Sequence, residues 1–316
     1  MEPLTCTDIR VPVTISDGSS GPIVGRLCVP AGTTTVQLLV HGFTYSRYYW
    51  DLPYQPEKYS YVAAANRAGY ATLSIDRLGS GESYHPLSVL VTLENNASAL
   101  NQVIQLLRSG ELDGKAFKKV ILVGHSYGSG VCAFTAGRYQ NVDALVVTGS
   151  SHRLNVPNLV TRLIPAAKPA VEDPKFASSG LDLGYFTTRA GQRKVFYNTD
   201  NTDPKVIELD ERLKQTGTGE ELLTALPEAL FNHSAQINIP VLAVNASDDP
   251  FFCGHLSADC SSSTALIASE RPFYGPHATL DAIVVPDAGH DVTLARSAPQ
   301  TLTAIQDWVS QQVKPS

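Results

Sequence analysis

Several features are scarce or missing in this sequence of 316 residues, and each absence excludes a class of protein. Charged residues make up only 17% of the chain, the formal net charge is −6, and Lys and Arg form no cluster. We therefore expect no nucleic-acid partner, because binding to phosphates requires a basic surface. The sequence has no run of 18 apolar residues, so it predicts no helix that spans a membrane.

Motifs for metals and nucleotide cofactors are missing too. The sequence contains neither H-E-x-x-H nor a pair of C-x-x-C motifs, which are common spacings of metal ligands. No G-x-G-x-x-G motif follows a predicted strand. We therefore expect a protein that works without a metal and without a cofactor.

Cysteine is rare, with five residues, and two of them lie near the outer ends of neighbouring strand-like segments. Cys6 directly precedes the segment 7–16 and Cys28 lies near the end of the segment 22–29, and a turn rich in Gly and Ser joins the segments. Antiparallel pairing of the two segments would bring the two sulfur atoms together. The sequence therefore predicts a disulfide between Cys6 and Cys28.

A second disulfide is predicted between Cys253 and Cys260, which lie seven residues apart in a loop-like stretch, whereas Cys132 falls in a predicted buried helix. Five reduced cysteines are the alternative. The chain begins at Met1 without a signal peptide, so either the protein is cytoplasmic or a leader has been removed. The low charge and two disulfides favour a secreted protein.

The clearest pattern in the sequence is centred on Ser126. The apolar run 120–123 is short and continuous, which predicts a buried parallel strand. A G-x-S-x-G motif follows at 124–128, and the next residues are small and apolar enough for a buried helix. A serine between a strand and a helix is the setting of a nucleophile elbow, in which the turn projects the hydroxyl outwards.

Predicted strands and helices alternate over residues 35–150, which indicates a parallel sheet with helices on both faces. Residues 152–236 interrupt this alternation with several helix-like pieces and no convincing core strand, and the alternation then resumes. We therefore predict an α/β core made of residues 1–151 and 237–316, with a helical insertion at 152–236.

A serine hydroxyl is a poor nucleophile at neutral pH and needs a base. His290 is the best candidate among eight histidines, because it directly follows the last predicted strand in a turn that contains Gly289. The carboxyl ends of parallel strands share one edge of a sheet, where ligands bind. His290 is therefore expected near Ser126.

The base in turn needs an acid that orients it. Asp248 and Asp249 both follow the predicted strand 241–245. We favour Asp249, because Pro250 holds the residue before it extended. Asp76, which follows an earlier strand, is the third candidate.

An oxyanion formed by attack on a carbonyl needs two backbone N–H donors. Tyr127 supplies the first N–H group after Ser126, and the loop after the strand 35–40 should supply the second. Phe43 is the natural choice in that loop, and Gly42 would allow an unusual backbone angle there.

Four further residues near these motifs are candidates for the lining of a substrate pocket. His41 ends a strand at the same edge of the sheet, and His125 directly precedes the serine, where a structural role is the alternative. The four candidates are His41, Thr44, Trp50 and His125.

Taken together, these motifs resemble the α/β-hydrolase family. The sequence has them in the order of that family: residues 41–43, 76–81, 124–128, 247–250 and 289–290. The resemblance implies a mostly parallel eight-stranded sheet, the chain order Ser–Asp–His, and a lid inserted after the sixth strand. Ala246 stands where the family often has glycine, which leaves the register of the acid open. Residues 42–51 are also similar to a group of secreted bacterial hydrolases of undefined substrate.

We therefore expect a serine hydrolase without cofactors that cleaves a small-molecule carboxylic ester or lactone through an acyl-enzyme. A hydrophobic or aromatic acyl or alcohol part is expected, as is a monomer or a homodimer. The same residues could serve an amidase, a thioesterase, an acyltransferase or a lyase. A binding protein without catalytic activity on the same scaffold is the alternative outside enzymes.

Overall fold

The structure, a computed structural model, describes residues 4–230 and 233–315. The predicted core therefore extends beyond it at residues 1–3 and 316, and the predicted insertion at residues 231–232. The strands are β1 (Thr5–Thr14), β2 (Ser20–Val29), β3 (Thr35–Val40), β4 (Ala71–Ile75), β5 (Lys119–His125), β6 (Ala144–Thr148), β7 (Ala167–Pro169), β8 (Tyr185–Thr188), β9 (Gly217–Thr218), β10 (Val241–Ala246) and β11 (Leu280–Val285). The helices are α1 (Pro56–Tyr59), α2 (Tyr61–Arg67), α3 (Leu93–Ser109), α4 (Tyr127–Tyr139), α5 (Val156–Asn158), α6 (Ile164–Ala166), α7 (Pro204–Leu213), α8 (Gly219–Leu230), α9 (Ser263–Glu270) and α10 (Ala298–Gln312).

Eight strands form one sheet in the order β1-β2-β4-β3-β5-β6-β10-β11. The strand β2 pairs antiparallel with β1 and β4, and the other pairs are parallel. Every residue of β3, β4, β6 and β10 is buried, as expected for strands covered on both faces. The prediction of a mostly parallel eight-stranded sheet with helices is confirmed.

Two hydrophobic cores lie on opposite faces of the sheet. Successive residues of β5 alternate between them, because side chains of a strand point to opposite faces. Val120 and Leu122 pack in the core shared with α3 and α4, while Ile121 and Val123 pack in the core shared with α2 and α10. The helices packed on both faces hold the strands in place, and the ends of these strands position the candidate site.

The long helix α3 shows how the local sequence sets the limits of an element. The hydroxyl of Thr92 accepts a hydrogen bond from Asn95 N (3.0 Å) at the start of the helix, which satisfies one free N–H group. Gly110 follows the last residue with a φ of 81°, a left-handed conformation that glycine adopts without steric cost. The described part of the chain holds no helix long and apolar enough to cross a membrane.

Residues 152–236 lie between β6 and β10 and contain α5 to α8. They also form a small antiparallel sheet in the order β7-β8-β9. The sequence analysis missed this sheet, because its strands have only three, four and two residues. Such lengths are too short for a hydrophobic period to emerge.

Both predicted disulfides are present in the structure. Cys6 and Cys28 face each other in the β1–β2 register with their Cα atoms 4.1 Å apart. Cys253 and Cys260 close a short loop between β10 and α9. Cys132 is a free thiol and is buried.

Candidate active site

Ser126 occupies the turn between β5 and α4 with a φ of 53°. A positive φ is unusual for a residue with a side chain and indicates a strained turn. At Gly124 and Gly128, the two glycines of the motif, there is no room for a side chain. A Cβ atom on Gly128 would lie 2.3 Å from Val40 O, and one on Gly124 would lie 2.5 Å from Ser129 Cα.

A chain of hydrogen bonds joins the three residues that the sequence singled out. His290 Nε2 lies 2.8 Å from Ser126 Oγ, and His290 Nδ1 lies 2.8 Å from Asp249 Oδ2. A carboxylate beside Nδ1 places the ring proton there, which leaves Nε2 to accept the hydroxyl proton of Ser126. The imidazole and the carboxylate are buried, and the serine is half-buried.

Opposing effects set the pKa of His290. Burial lowers this pKa because it disfavours the charged ring, whereas the negative charge of Asp249 and its hydrogen bond raise it. The net result is a pKa above the ordinary value of 6.5. A raised pKa makes the imidazole a stronger base for the serine proton.

Of the three candidate acids, Asp249 is the one that contacts His290. Its other oxygen, Oδ1, accepts hydrogen bonds from Phe251 N (2.8 Å) and Phe252 N (3.3 Å), which fix the carboxylate. Asp248 is exposed and accepts a hydrogen bond from Asn198 Nδ2 (2.8 Å). It therefore points away from the imidazole.

Asp76 has a separate structural role. Its carboxylate accepts hydrogen bonds from the backbone N–H groups of Arg47 (2.7 Å) and Glu82 (3.0 Å), and it forms an ion pair with the Arg47 guanidinium. These contacts tie the loop after β4 to the segment that follows β3.

The loop after β3 packs directly against Ser126. A Cβ atom on Gly42 would lie 3.0 Å from Ser126 Cβ, so a side chain at this position would crowd the serine. The expected unusual backbone angle is absent at Gly42, and Thr44 has the positive φ instead, at 62°. Within residues 4–230 and 233–315, neither the Phe43 N–H nor the Tyr127 N–H donates to another backbone group in a turn or loop.

Ser126 and His290 lie in the wall of a cavity of about 480 Å³. Most of the other lining side chains are apolar, and several of them belong to residues 152–236. Some of these apolar side chains are exposed to solvent, which indicates that the cavity opens at their position. The exposed apolar residues of the lining are Val156, Val160, Ile164, Leu223 and Leu226.

The four residues assigned to the pocket from the sequence do not line this cavity. The two histidines are fully buried and hydrogen-bonded within the protein. His41 Nε2 accepts a hydrogen bond from Arg77 N (3.0 Å). In His125, Nδ1 lies 3.1 Å from Thr148 Oγ1, and Nε2 lies 3.1 Å from Asp291 Oδ1. Their positions at strand ends were predicted correctly, but their side chains point into the core.

Thr44 and Trp50, the other two pocket candidates, are also buried in the protein and do not line the cavity. Thr44 is fully buried, and its hydroxyl donates to Phe43 O (2.6 Å) and accepts from Arg193 Nη1 (2.7 Å). The indole ring of Trp50 is fully buried and packs edge-on against Tyr49 and Tyr61, with ring centroids 4.9 and 5.1 Å apart. Both side chains therefore pack within the protein and do not face the cavity.

The sequence analysis missed a buried polar network behind His290. The Tyr45 hydroxyl donates to Asp291 and also lies 3.3 Å from Asp210 Oδ2. Asp210 forms a two-pronged ion pair with Arg193, at 2.8 and 2.9 Å, and accepts from the Tyr197 hydroxyl (2.8 Å). This network joins the insertion to the core, and no local motif in the sequence could have revealed it.

Comparisons with known proteins agree with this fold. A family model described as "Alpha/beta hydrolase family" matches residues 37–304. No curated protein matches the sequence. Three similar solved structures are each 15% identical to this chain over 98% of its length. They are the Pyrococcus furiosus esterase Pf2001, with a TM-score of 0.58 and 92% of that chain covered, and the Paleococcus ferrophilus monoacylglycerol lipase, with a TM-score of 0.56 and 99% covered. The third is the alpha/beta hydrolase GrgF from Penicillium sp. sh18, with a TM-score of 0.62 and 99% covered. At these identities the likeness is one of fold.

Proposed function

The chain belongs to the alpha/beta hydrolase family, and we propose that it is a serine hydrolase that cleaves a carboxylic ester or lactone. The observation that carries this proposal is the hydrogen-bond chain from Ser126 through His290 to Asp249 at the wall of an apolar cavity. The esterase and the lipase among the similar structures support this type of substrate.

In the proposed reaction, Ser126 Oγ attacks the carbonyl carbon while His290 Nε2 takes the hydroxyl proton. Asp249 keeps the second ring proton on Nδ1 and stabilises the charged imidazole. The protonated His290 then donates its proton to the leaving alcohol, which yields an acyl-enzyme. Water, activated by the same imidazole, attacks the acyl carbon and releases the acid together with free Ser126.

The negative charge that develops on the carbonyl oxygen needs donors that are already in place. We assign this role to the N–H groups of Phe43 and Tyr127. The contact of Gly42 with Ser126 supports the first. Tyr127 is the first residue of α4, where free N–H groups and the positive end of the helix dipole favour an anion.

We propose that residues 152–236 form a lid over the catalytic core of residues 1–151 and 237–316. The lining of the cavity supports this role, since Leu159 and Leu222 from the insertion face the same space as Ser126. The substrate would enter between these apolar side chains, because several of their neighbours are exposed to solvent.

We infer a hydrophobic substrate from the composition of this lining. A cavity of about 480 Å³ falls in the range of small-molecule sites. Burial of each methylene group contributes about 0.8 kcal/mol, so an acyl or alcohol part of medium length would gain most. The same wall would disfavour a charged substrate.

A panel of chromogenic substrates tests this function. We expect the wild type to hydrolyse 4-nitrophenyl esters, with the highest kcat/KM at medium acyl length, and we expect Ser126→Ala to be inactive. A parallel panel of lactones, thioesters and anilides compares the competing classes. Faster turnover of an amide or thioester than of every ester and lactone would contradict the substrate class and leave Ser126 as the nucleophile.

A further inference from the structure

A second cluster of Ser, His and carboxylate lies in the wall of the same cavity. His152 Nε2 lies 2.9 Å from Ser234 Oγ, and His152 Nδ1 lies 2.6 Å from Glu270 Oε2. All three residues line the cavity that also contains Ser126 and His290. The proposed reaction uses none of them.

The cluster joins three parts of the chain that are distant in sequence. His152 follows β6 at the start of the insertion, Ser234 lies near the end of the insertion, and Glu270 is the last residue of α9. The imidazole is held by stacking on Phe273, with ring centroids 4.6 Å apart, and by the edge of Tyr274 at 5.2 Å. The polar atoms are therefore fixed in place.

The hydrogen bonds define which atoms remain available to a ligand. Glu270 Oε1 accepts from Ser151 Oγ (2.7 Å) and from the His152 backbone N–H (3.3 Å). With the carboxylate as acceptor, the ring proton of His152 lies on Nδ1, and Nε2 accepts the hydroxyl proton of Ser234. Among residues 4–230 and 233–315, the hydroxyl of Ser234 contacts only His152 Nε2, so the lone pairs of Ser234 Oγ can accept a hydrogen bond from a ligand.

We propose that this cluster binds a hydroxyl group that the substrate carries at a distance from its ester bond. A hydroxyl can donate to Ser234 Oγ, whereas a carboxylate would be repelled by Glu270. This inference rests on the proposed esterase function and narrows its substrate class to hydroxylated hydrophobic esters. Ser234 lies in the 3₁₀ turn His233–Gln236 rather than in a strained turn before a long helix, so we assign it to binding and not to nucleophilic attack.

Matched esters test the proposal. We would measure kcat/KM for 4-nitrophenyl esters of alkanoic acids and of ω-hydroxyalkanoic acids with equal numbers of heavy atoms, from four to twelve carbons. The wild type should show a maximum of the hydroxyl-to-methyl ratio at one chain length. The net free energy of a hydrogen bond corresponds to about a three- to tenfold effect, and Ser234→Ala should reduce the ratio by that factor.

Glu270→Gln should lower the same ratio, because it removes the acceptor charge that holds the ring proton on Nδ1. Ser150→Ala is the matched control, since Ser150 lines the cavity outside the cluster, and it should preserve the ratio. Active enzyme is counted by titration with a fluorophosphonate, so that misfolded protein does not enter the comparison.

The other outcomes overturn the proposal in separable ways. Equal ratios in wild type and Ser234→Ala would mean that the cluster only fastens the ends of the insertion to the core. Labelling of Ser234 by the fluorophosphonate would make it a second nucleophile instead. If the wild type turns over no ester of either series and Ser126 stays unlabelled, the proposed function itself fails, and this inference fails with it.

Discussion

Asp249 and His290 lie 41 residues apart in the sequence and are joined by a hydrogen bond of 2.8 Å between Oδ2 and Nδ1. The neighbouring carboxylate of Asp248 is exposed and bonds to Asn198 instead. The two adjacent carboxylates therefore have different environments. Substitution of Asp248 serves as the control for substitution of Asp249.

Asp249→Asn should reduce kcat by about 10⁴, because an amide at this position no longer holds the imidazole in the required tautomer. Asp248→Asn should change kcat by less than about threefold, since an exposed polar contact contributes little. The measurement is steady-state kinetics on one chromogenic ester. The reverse ranking of the two variants would move the acid to Asp248.

The pH dependence of kcat/KM should report the ionisation of His290. The imidazole must be neutral to accept the serine proton, so activity rises with pH through its pKa. That pKa lies above 6.5, because the charge of Asp249, its hydrogen bond and the charge of Asp291 together outweigh the effect of burial. The midpoint of the acidic limb should therefore lie above pH 6.5. Asp249→Asn removes the charge and should lower the midpoint, and a midpoint below 6.5 in the wild type would contradict this account.

The buried ion pair between Arg193 and Asp210 should matter for stability. The side chains are 1% and 4% exposed, and Asp210→Asn would leave the Arg193 charge buried without its partner. Such a change lowers the free energy of unfolding by about 3 to 5 kcal/mol.

The matched control for this pair is Glu208→Gln, on the same helix α7. Glu208 and Arg212 form an ion pair with side chains that are 68% and 65% exposed, and a pair of this kind contributes less than about 1 kcal/mol. Urea unfolding of both variants gives the comparison. Equal midpoints would contradict the predicted contribution of the buried Arg193–Asp210 pair to stability.

The oxidation state of the cysteines gives a prediction that is independent of activity. Alkylation in denaturant without reductant should modify Cys132 alone, because the other four residues form disulfides. Reduction before alkylation should make all five thiols reactive. Mass spectrometry of the intact chain counts the modified residues, and five free thiols without reductant would remove the argument for an oxidising compartment.

The sequence was informative where chemistry coincides with strand ends. Ser126, Asp249 and His290 follow β5, β10 and β11, and parallel strands bring their carboxyl ends to one edge of the sheet. The continuous apolar runs of these strands made their positions predictable. Their positions after the ends of parallel strands were thus enough to predict that these residues lie close together.

The sequence was less informative about side-chain direction and about contacts within the insertion. His41 and His125 lie at the expected strand ends, but nothing local to them shows that their rings face the core. Arg193 and Asp210 are 17 residues apart in a region without a clear hydrophobic period. Partners of this kind are determined by tertiary packing, which a single sequence does not encode as a motif.

The most direct test of the central claim is covalent labelling of Ser126. The folded wild type is treated with a fluorophosphonate, and the modified residue is identified by peptide mass spectrometry, with heat-denatured protein and Ser126→Ala as controls. We predict stoichiometric labelling at Ser126, complete loss in Ser126→Ala, and strongly slowed labelling in His290→Ala, because the hydroxyl then lacks its base. Folded wild-type protein that remains unlabelled, or that is labelled equally fast without His290, would contradict the claim that Ser126 is an activated nucleophile.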